Sequence, residues 1–287
     1  MSQNKPTENE HFIPQVYLRG FSPDHKRVYQ YDLLNWKAYP LISTRKICYQ
    51  KNLYELENGD GDYICQNGIE NLLSIYEGVY GELLAGIADK AQFDRNYNTQ
   101  SFLTSKEKML LIGFMSLQII RMPYFIDTGK DIAIDLNKRI QPYQARNFSI
   151  LTSLPIYKQI DDEEKNLFSY VAEWFTDMSF TILRSNSHDI FTSDNPIYIY
   201  SKNKNSKEVN VKPEKVIFPL TSNLVLYMLP IHKIKSEFKN RLYPLLPERI
   251  CEIRKSIASA SMRWLYSYHP LTDTEIKEIR IARSDRS

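Results

Sequence analysis

No run in this 287-residue chain is long and apolar enough to cross a membrane. The longest apolar stretch, MLLIGFMSLQII at 109–120, falls short of the roughly 18 residues that a span needs, so no membrane partner is expected. The opening MSQNKPTENE holds one lysine and no apolar run. It does not read as a secretory signal, and a cytoplasmic protein is expected.

Cysteine is scarce. Cys48, Cys65 and Cys251 are odd in number, far apart and without CxxC spacing, which argues against a disulfide framework and a zinc knuckle. They are read as reduced and mostly buried. A dominant charge is lacking too: 37 Lys and Arg stand against 34 Asp and Glu, a net charge of +3. That balance gives no general case for wrapping a polyanion and leaves room only for a local basic groove. The chain has no GxxxxGK[ST] phosphate loop, no GxGxxG, no HExxH and no GxSxG elbow. The acidic loop ENGDGDY fails as a calcium site: counted from Asn58, position six is Tyr63 instead of glycine, and position twelve is Ile69 instead of glutamate. There is no internal repeat, low-complexity tract or long linker, so a single domain over 11–287 is expected behind a disordered tail at 1–10.

What is present is a large apolar complement, 43% of residues, enough for a sizeable core. Val28–Asp32 and Trp36–Ile42 alternate on either side of a short turn, which predicts a β-hairpin. From Asn67, Ile69, Leu72, Leu73, Tyr76, Tyr80, Leu83, Leu84 and Ile87 recur at helical spacing. TSKE at 104–107 has the form of a capping box, and the apolar stretch to Met122 that follows predicts a buried central helix. A stripe from Leu167 through Trp174 and Met178 to Ile182, after the acidic start DDEE, reads as an amphipathic helix. The segments DIFTSDNPIYIYS and KVIFPLTSNLVLYMLP alternate and predict strands, joined by an exposed connector KNKNSKEVNVKPE. Pro247 introduces a further helix with Ile250, Ile253, Ile257 and Trp264 on one face, and a short segment capped at TDTE closes the chain before a frayed tail ARSDRS. The fold class is α+β, a helical centre with a small antiparallel sheet contributed by the N-terminal hairpin and the 190–230 strands.

Polar side chains stand where this pattern calls for apolar ones. Gln118 and Arg121 are one turn apart on the central helix, among Leu117, Ile119, Ile120 and Met122. A guanidinium in such surroundings needs acidic partners or an anionic ligand, and it serves either to pin two helices or to counter a bound charge. Glu70 and Glu77 are seven apart on the preceding helix and fall within roughly 20° of one stripe. Aligned carboxylates suit general-base work or oxygen ligation of a hard cation, although Glu70 could instead complete a cap with Asn67. In FTSDNP, Ser193, Asp194 and Asn195 form either an Asx-type turn or a polar group projecting from a strand end. In HFIPQVYLRGF at 11–21, Phe12, Val16 and Leu18 alternate with polar residues. An extended segment is expected there, with His11 and Gln15 approaching a pocket. His25, His188, His232 and His269 read as surface or packing residues.

The stretches HFIPQVYLRGF, KNLYEL at 51–56, IENLLSIYE at 69–77, QIIRMP at 118–123 and TSDNP at 192–196 together resemble a bacterial family known as domain-of-unknown-function family 4238. The resemblance spans most of the chain in the same order. Family members often carry Asn where Gly20 stands and another near Arg254, so Arg254 is given no role. Most of the residues inside the shared motifs that are not core are polar, which implies a site. We expect His11, Glu77, Arg121 and Asp194 to be catalytic, Gln15, Gln118, Ser193 and Asn195 to bind substrate, and Glu70, Glu77 and Asp194 to hold a metal. His11 would act as acid, base or metal ligand.

That set suits a hydrolase of phosphodiester bonds, acting on nucleic acid or a nucleotide, with carboxylates holding Mg²⁺ or Mn²⁺ or activating water and Arg121 countering charge on phosphate. The resemblance adds the setting of a bacterial toxin or antiphage effector. Two other classes fit the same residues: a module that binds a small anionic ligand or nucleotide without turnover, and a polar core network within a protein-interaction protein.

Overall fold

The computed structural model describes residues 8–94, 97, 99–153, 167–202, 212–235 and 239–284. The DDEE start, most of the KNKNSKEVNVKPE connector, the last residues of ARSDRS and residues 1–7 lie outside them.

The chain opens with strand β1 (Asn9–His11), which begins inside the expected tail and pairs antiparallel with β4 (Tyr49–Lys51). The motif that follows is not extended. Pro14 caps a short helix α1 (Gln15–Leu18), and Ile13, Tyr17 and Phe21, spaced by four, are all buried. Helical spacing shares its apolar positions with the alternation here, and the fixed φ of Pro14 suits a helix start. The hairpin forms as the pattern predicts, from β2 (Arg27–Asp32) and β3 (Lys37–Ser43).

Helix α2 (Gly68–Phe93) buries Leu73, Tyr80, Leu83, Leu84 and Ile87. Helix α3 (Ser105–Ile120) begins with the full capping box: the Thr104 hydroxyl accepts from the Glu107 amide, and the Glu107 carboxylate accepts from the Thr104 amide. Every residue of α3 from Phe114 to Ile120 is buried. Two further helices, α4 (Pro123–Leu136) and α5 (Pro142–Ser153), pack on each other, and each opens with proline.

The stripe from Leu167 to Ile182 divides. Helix α6 (Leu167–Glu173) ends before a turn, and Met178, Thr181 and Ile182 belong to strand β5 (Met178–Arg184). Apolar residues at 171, 175, 178 and 182 satisfy a helical period, yet Met178, Phe180 and Ile182 also satisfy alternation, and pairing with β9 (Leu224–Pro230) selects the strand. The remaining strands are β6 (Thr192–Ser193), β7 (Tyr198–Tyr200), β8 (Lys215–Thr221), β10 (Leu242–Pro244) and β11 (Trp264–Ser267). Helix α7 (Pro247–Ala260) stops short of Trp264, which lies on β11, and α8 (Asp273–Ser284) is capped by Thr272 and Glu275.

The class is α+β. The hairpin joins β11 and β6 in an antiparallel sheet of order β3-β2-β11-β6, while a second sheet of order β10-β5-β9-β8-β7 is antiparallel except for the parallel β10–β5 pair. Tyr17 ties the opening motif to both sheets. Its ring stacks on Phe218 of β8 with centroids 5.4 Å apart, and its hydroxyl bonds Thr192 of β6 and the Pro219 carbonyl at 2.7 and 2.8 Å. Phe114 of α3 and Tyr80 of α2 continue that aromatic seam, 4.6 Å apart. Among the described residues no single helix is long and apolar enough to cross a membrane. The three cysteines are free, and only Cys48 is buried.

Candidate functional site

Four stretches of chain meet around one guanidinium. Arg121, 2% exposed at the end of α3, donates to Glu77 Oε1 at 2.9 Å, to the backbone carbonyl of His11, and through Nε to the Tyr54 hydroxyl at 3.3 Å. Tyr54 in turn donates to the Arg121 carbonyl at 2.9 Å. Burial works against the charge on Arg121, and Tyr54, Glu77 and Glu70 more than offset it, so the guanidinium stays firmly protonated.

Beside this knot lies a group of carboxyls that the sequence signals only in part. Glu10 on β1 is fully inaccessible, and Glu55 is 3% exposed. Glu10 Oε2 accepts the Tyr54 amide and Glu55 Oε1 accepts the Asn67 amide, each at 2.7 Å. The other oxygen of each, with Oε2 of Glu70, is buried, and among the described residues no N–H or hydroxyl donor faces it. Glu10 and Glu55 meet carboxyl to carboxyl. Two ionised carboxylates have no hydrogen to share, so that contact is a hydrogen bond only while one of them holds a proton. Burial pushes Glu10 up to about 7, with help from the charges of Glu55 and Glu70 and against the pull of the Tyr54 amide. Burial also raises Glu70 to about 7, opposed by Arg121.

His11 follows Glu10 on β1, and the charged groups that bear on its ring are Glu77 and Arg121. Its ring packs against Tyr49, and the backbone of Arg45 and Thr44 lies alongside. Burial lowers its pKa, so the ring is held neutral, and its buried Nε2 has no partner. Gln118 donates to the Phe12 carbonyl at 2.9 Å and leaves its buried Oε1 unengaged. Glu70 does not serve as a capping partner for Asn67, whose left-handed backbone makes no side-chain cap.

Of the nine residues expected at the site, His11, Glu70, Glu77, Gln118 and Arg121 are brought together, and Gln15 is half-buried on α1 nearby. TSDNP is not. Asp194 Oδ1 accepts the Met262 amide at 2.9 Å, and Oδ2 accepts those of Arg263 and Trp264 at 2.8 and 3.0 Å, which fixes the start of β11. Ser193 bonds within its own turn to Asn195, and the Asn195 amide donates to the Ala260 carbonyl at 3.0 Å. Short polar side chains at a strand end are spent on backbone groups that the turn leaves open. The oxygen cage expected of Glu70, Glu77 and Asp194 is therefore not assembled, and among the described residues no group of three or more His, Cys, Asp or Glu is arranged to hold a metal. Asp194→Ala is expected to cost about 2 kcal/mol in urea unfolding, because three amides lose a buried acceptor, with activity per folded molecule unchanged.

Arg254 has a structural place, bonded to the Asp189 carbonyl at 2.8 Å and to Glu275 at 2.6 Å, where it ties α7 to α8. Elsewhere, a cleft of ≈ 950 Å³ runs past Trp174, Met178, Lys212 and His232 and contains none of the expected residues; there the one carboxylate of Glu214 bridges Lys202 and Lys233.

Glu10 and Glu55 escape a reading by motif. Glu10 falls in a polar opening that looks like a tail, and Glu55 sits unmarked inside KNLYEL. The signal was an acidic residue placed between Tyr54 and Leu56, both apolar neighbours that pack inward. Compared with models of protein families, residues 9–270 match the one described as "Protein of unknown function (DUF4238)". No curated protein and no solved structure matches the chain.

Proposed function

For this chain, which belongs to the DUF4238 family, we propose hydrolysis of phosphodiester bonds by acid–base chemistry at the Glu10–Glu55–Glu70 cluster and His11. The observation that carries the reading is the pairing of opposite protonation habits around Arg121. His11 and Glu70 both feel the charges of Arg121 and Glu77: the imidazole is held neutral with an unengaged nitrogen, and the carboxyl holds a proton up to about pH 7. Groups whose environments push their pKa values in opposite directions suit a base and an acid working in one step. In this reading His11 takes the proton of the attacking water, and Glu70 supplies one to the departing oxygen.

The substrate class follows from charge. The turn whose backbone lies along His11 presents Arg45 and Lys46 to solvent, which suits a phosphate and not a neutral ester. Through Nε and Nη2, Arg121 positions Glu77, the His11 backbone and Tyr54. Mg²⁺ or Mn²⁺, if bound here, would need the unengaged oxygens of Glu10, Glu55 and Glu70 as ligands, and Glu10 and Glu70 would have to give up their protons.

The test is cleavage of end-labelled RNA, single-stranded DNA and duplex DNA, with Mg²⁺, with Mn²⁺ and with chelator, beside Glu70→Gln. Loss of an acid catalyst is expected to lower the rate about a hundredfold in a protein that is folded and no less stable at pH 8. No cleavage by well-folded protein under any of these conditions would sink the proposal. The burial of Arg121 and the commitment of its Nε and Nη2 to protein partners favour a second reading, a polar core network in a protein-interaction protein, and under it Glu70→Gln changes stability alone.

A further inference from the structure

At its β3 edge the β3-β2-β11-β6 sheet leaves an open corner that acid–base chemistry at the Arg121 cluster does not use. Lys37 and Trp264 both lie opposite Asp32, on either side of β2, and Tyr39 lies opposite Gln30. Positions two apart on a strand share a face, so Lys37, Tyr39 and Trp264 stand on one surface. There Tyr39 and Trp264 meet edge to face at 5.9 Å, the Arg263 guanidinium lies 4.4 Å over Trp264, and the Lys37 ammonium lies 5.3 Å from the Tyr39 ring centre. Both aromatic rings keep part of their surface open to solvent.

Strand β3 is the edge of this sheet, and its seven residues cover about 20 Å. It runs from Lys37 into the turn Thr44–Lys46, the turn whose backbone flanks His11. Lys26 stands at the same end, its carbonyl accepting the Thr44 amide at 3.0 Å. Lys26, Lys37, Arg45 and Lys46 are exposed, and among the described ion pairs none contains them. The nearby carboxylates are engaged already: Asp24 by Arg27 and Asp32 by Arg263. A chain nearly balanced overall thus concentrates unpaired positive charge along one sheet edge.

Aromatic rings on a sheet, flanked by cations that follow a line, are the elements by which proteins hold single-stranded nucleic acid: bases stack on rings and the phosphates follow the charge. We propose that β3 and the Lys37–Tyr39–Trp264 face bind a single strand of nucleic acid and lead it toward His11. That it is then cut rests on the hydrolase reading; that it binds does not. A duplex, whose bases are already stacked, has no use for the rings.

The experiment is fluorescence anisotropy with a short labelled single strand, as RNA and as DNA, and with its duplex, at two salt concentrations. The wild-type chain is expected to bind the single strands more tightly than the duplex. Tyr39→Ala should weaken single-strand binding about tenfold. Lys37→Glu with Arg45→Glu should weaken it at least as much and flatten the salt dependence, and these two exposed positions leave the fold untouched. Absence of binding, preference for the duplex, or unchanged affinity in the charge-reversed variant would overturn the proposal. Hydrolysis of bis(4-nitrophenyl) phosphate, too small to need the track, separates the two ideas. Turnover with no strand binding refutes this surface alone, and strand binding with no turnover of any substrate refutes the hydrolase reading alone.

Discussion

Arg121→Met is expected to cost this protein about 3–5 kcal/mol in equilibrium urea unfolding, the range for breaking a buried ion pair from one side. The guanidinium is the partner of Glu77, of the His11 carbonyl and of the Tyr54 hydroxyl at once, so its removal leaves a carbonyl and a phenol seeking bonds where water barely reaches and a half-buried carboxylate without its counter-charge. Pairing Arg121→Met with Glu77→Leu should recover a large part of the loss, since the second substitution removes the charge that the first one strands. The coupling, obtained from the double-mutant cycle, is expected to exceed 1 kcal/mol. Simple additivity would mean that the contact with Glu77 contributes nothing of its own.

The second large effect is on pH. Glu10 and Glu70 titrate near 7 in the folded chain against an ordinary 4.5. A carboxyl raised in this way gives the fold a stability that is complete below pH 4.5, declines as the pH climbs through 7 and levels off above it. Together the two groups are expected to remove about 3 kcal/mol between pH 5 and pH 8, less than two independent shifts would give because the cluster shares protons. Glu10→Gln and Glu70→Gln should each flatten that decline and raise stability at pH 8. Thermal unfolding across the pH range reads this directly, and a flat profile in the wild-type chain would mean that the carboxyls are not held protonated. Glu70→Gln then carries a double expectation: a more stable protein at pH 8 and a slower one, the trade made where a strained group is kept for its chemistry.

Elements with a local signature were legible in the sequence. The hairpin, the Thr104–Glu107 box and the stripe of α2 are written in residues a few positions apart, and each forms where its pattern lies. The 167–182 stripe failed because two periods coincide over Val171, Phe175, Met178 and Ile182, and the choice was made by β9, some forty residues further on. The opening motif misled in the reverse direction, through a proline that starts a helix where alternation suggested a strand. At the site, Arg121 and its glutamate could be inferred from a charge among apolar neighbours, whereas Asp194 could not be placed: a buried aspartate that holds three amides has the same letters around it as one that faces a cleft. Glu10 and Glu55 acquire meaning only from each other, and they lie on separate strands of argument in the sequence, 45 residues apart.

The pairing of β2 with β11 sets the order in which this molecule can be finished. Asp32 lies against Trp264 and its carboxylate is held by Arg263, 231 positions later, while Tyr17 waits for Thr192 and the His11 carbonyl for Arg121. During synthesis the hairpin therefore emerges with one flank unmatched until about 230 further residues have left the ribosome. Contacts of such separation slow folding, and an unmatched strand invites pairing with a neighbouring nascent chain. The segment carrying Glu10 and His11 finds its partners, β4 and Arg121, no more than 110 positions away, whereas the hairpin beside it waits for β11, so an incomplete chain would hold the candidate cluster next to an open sheet edge.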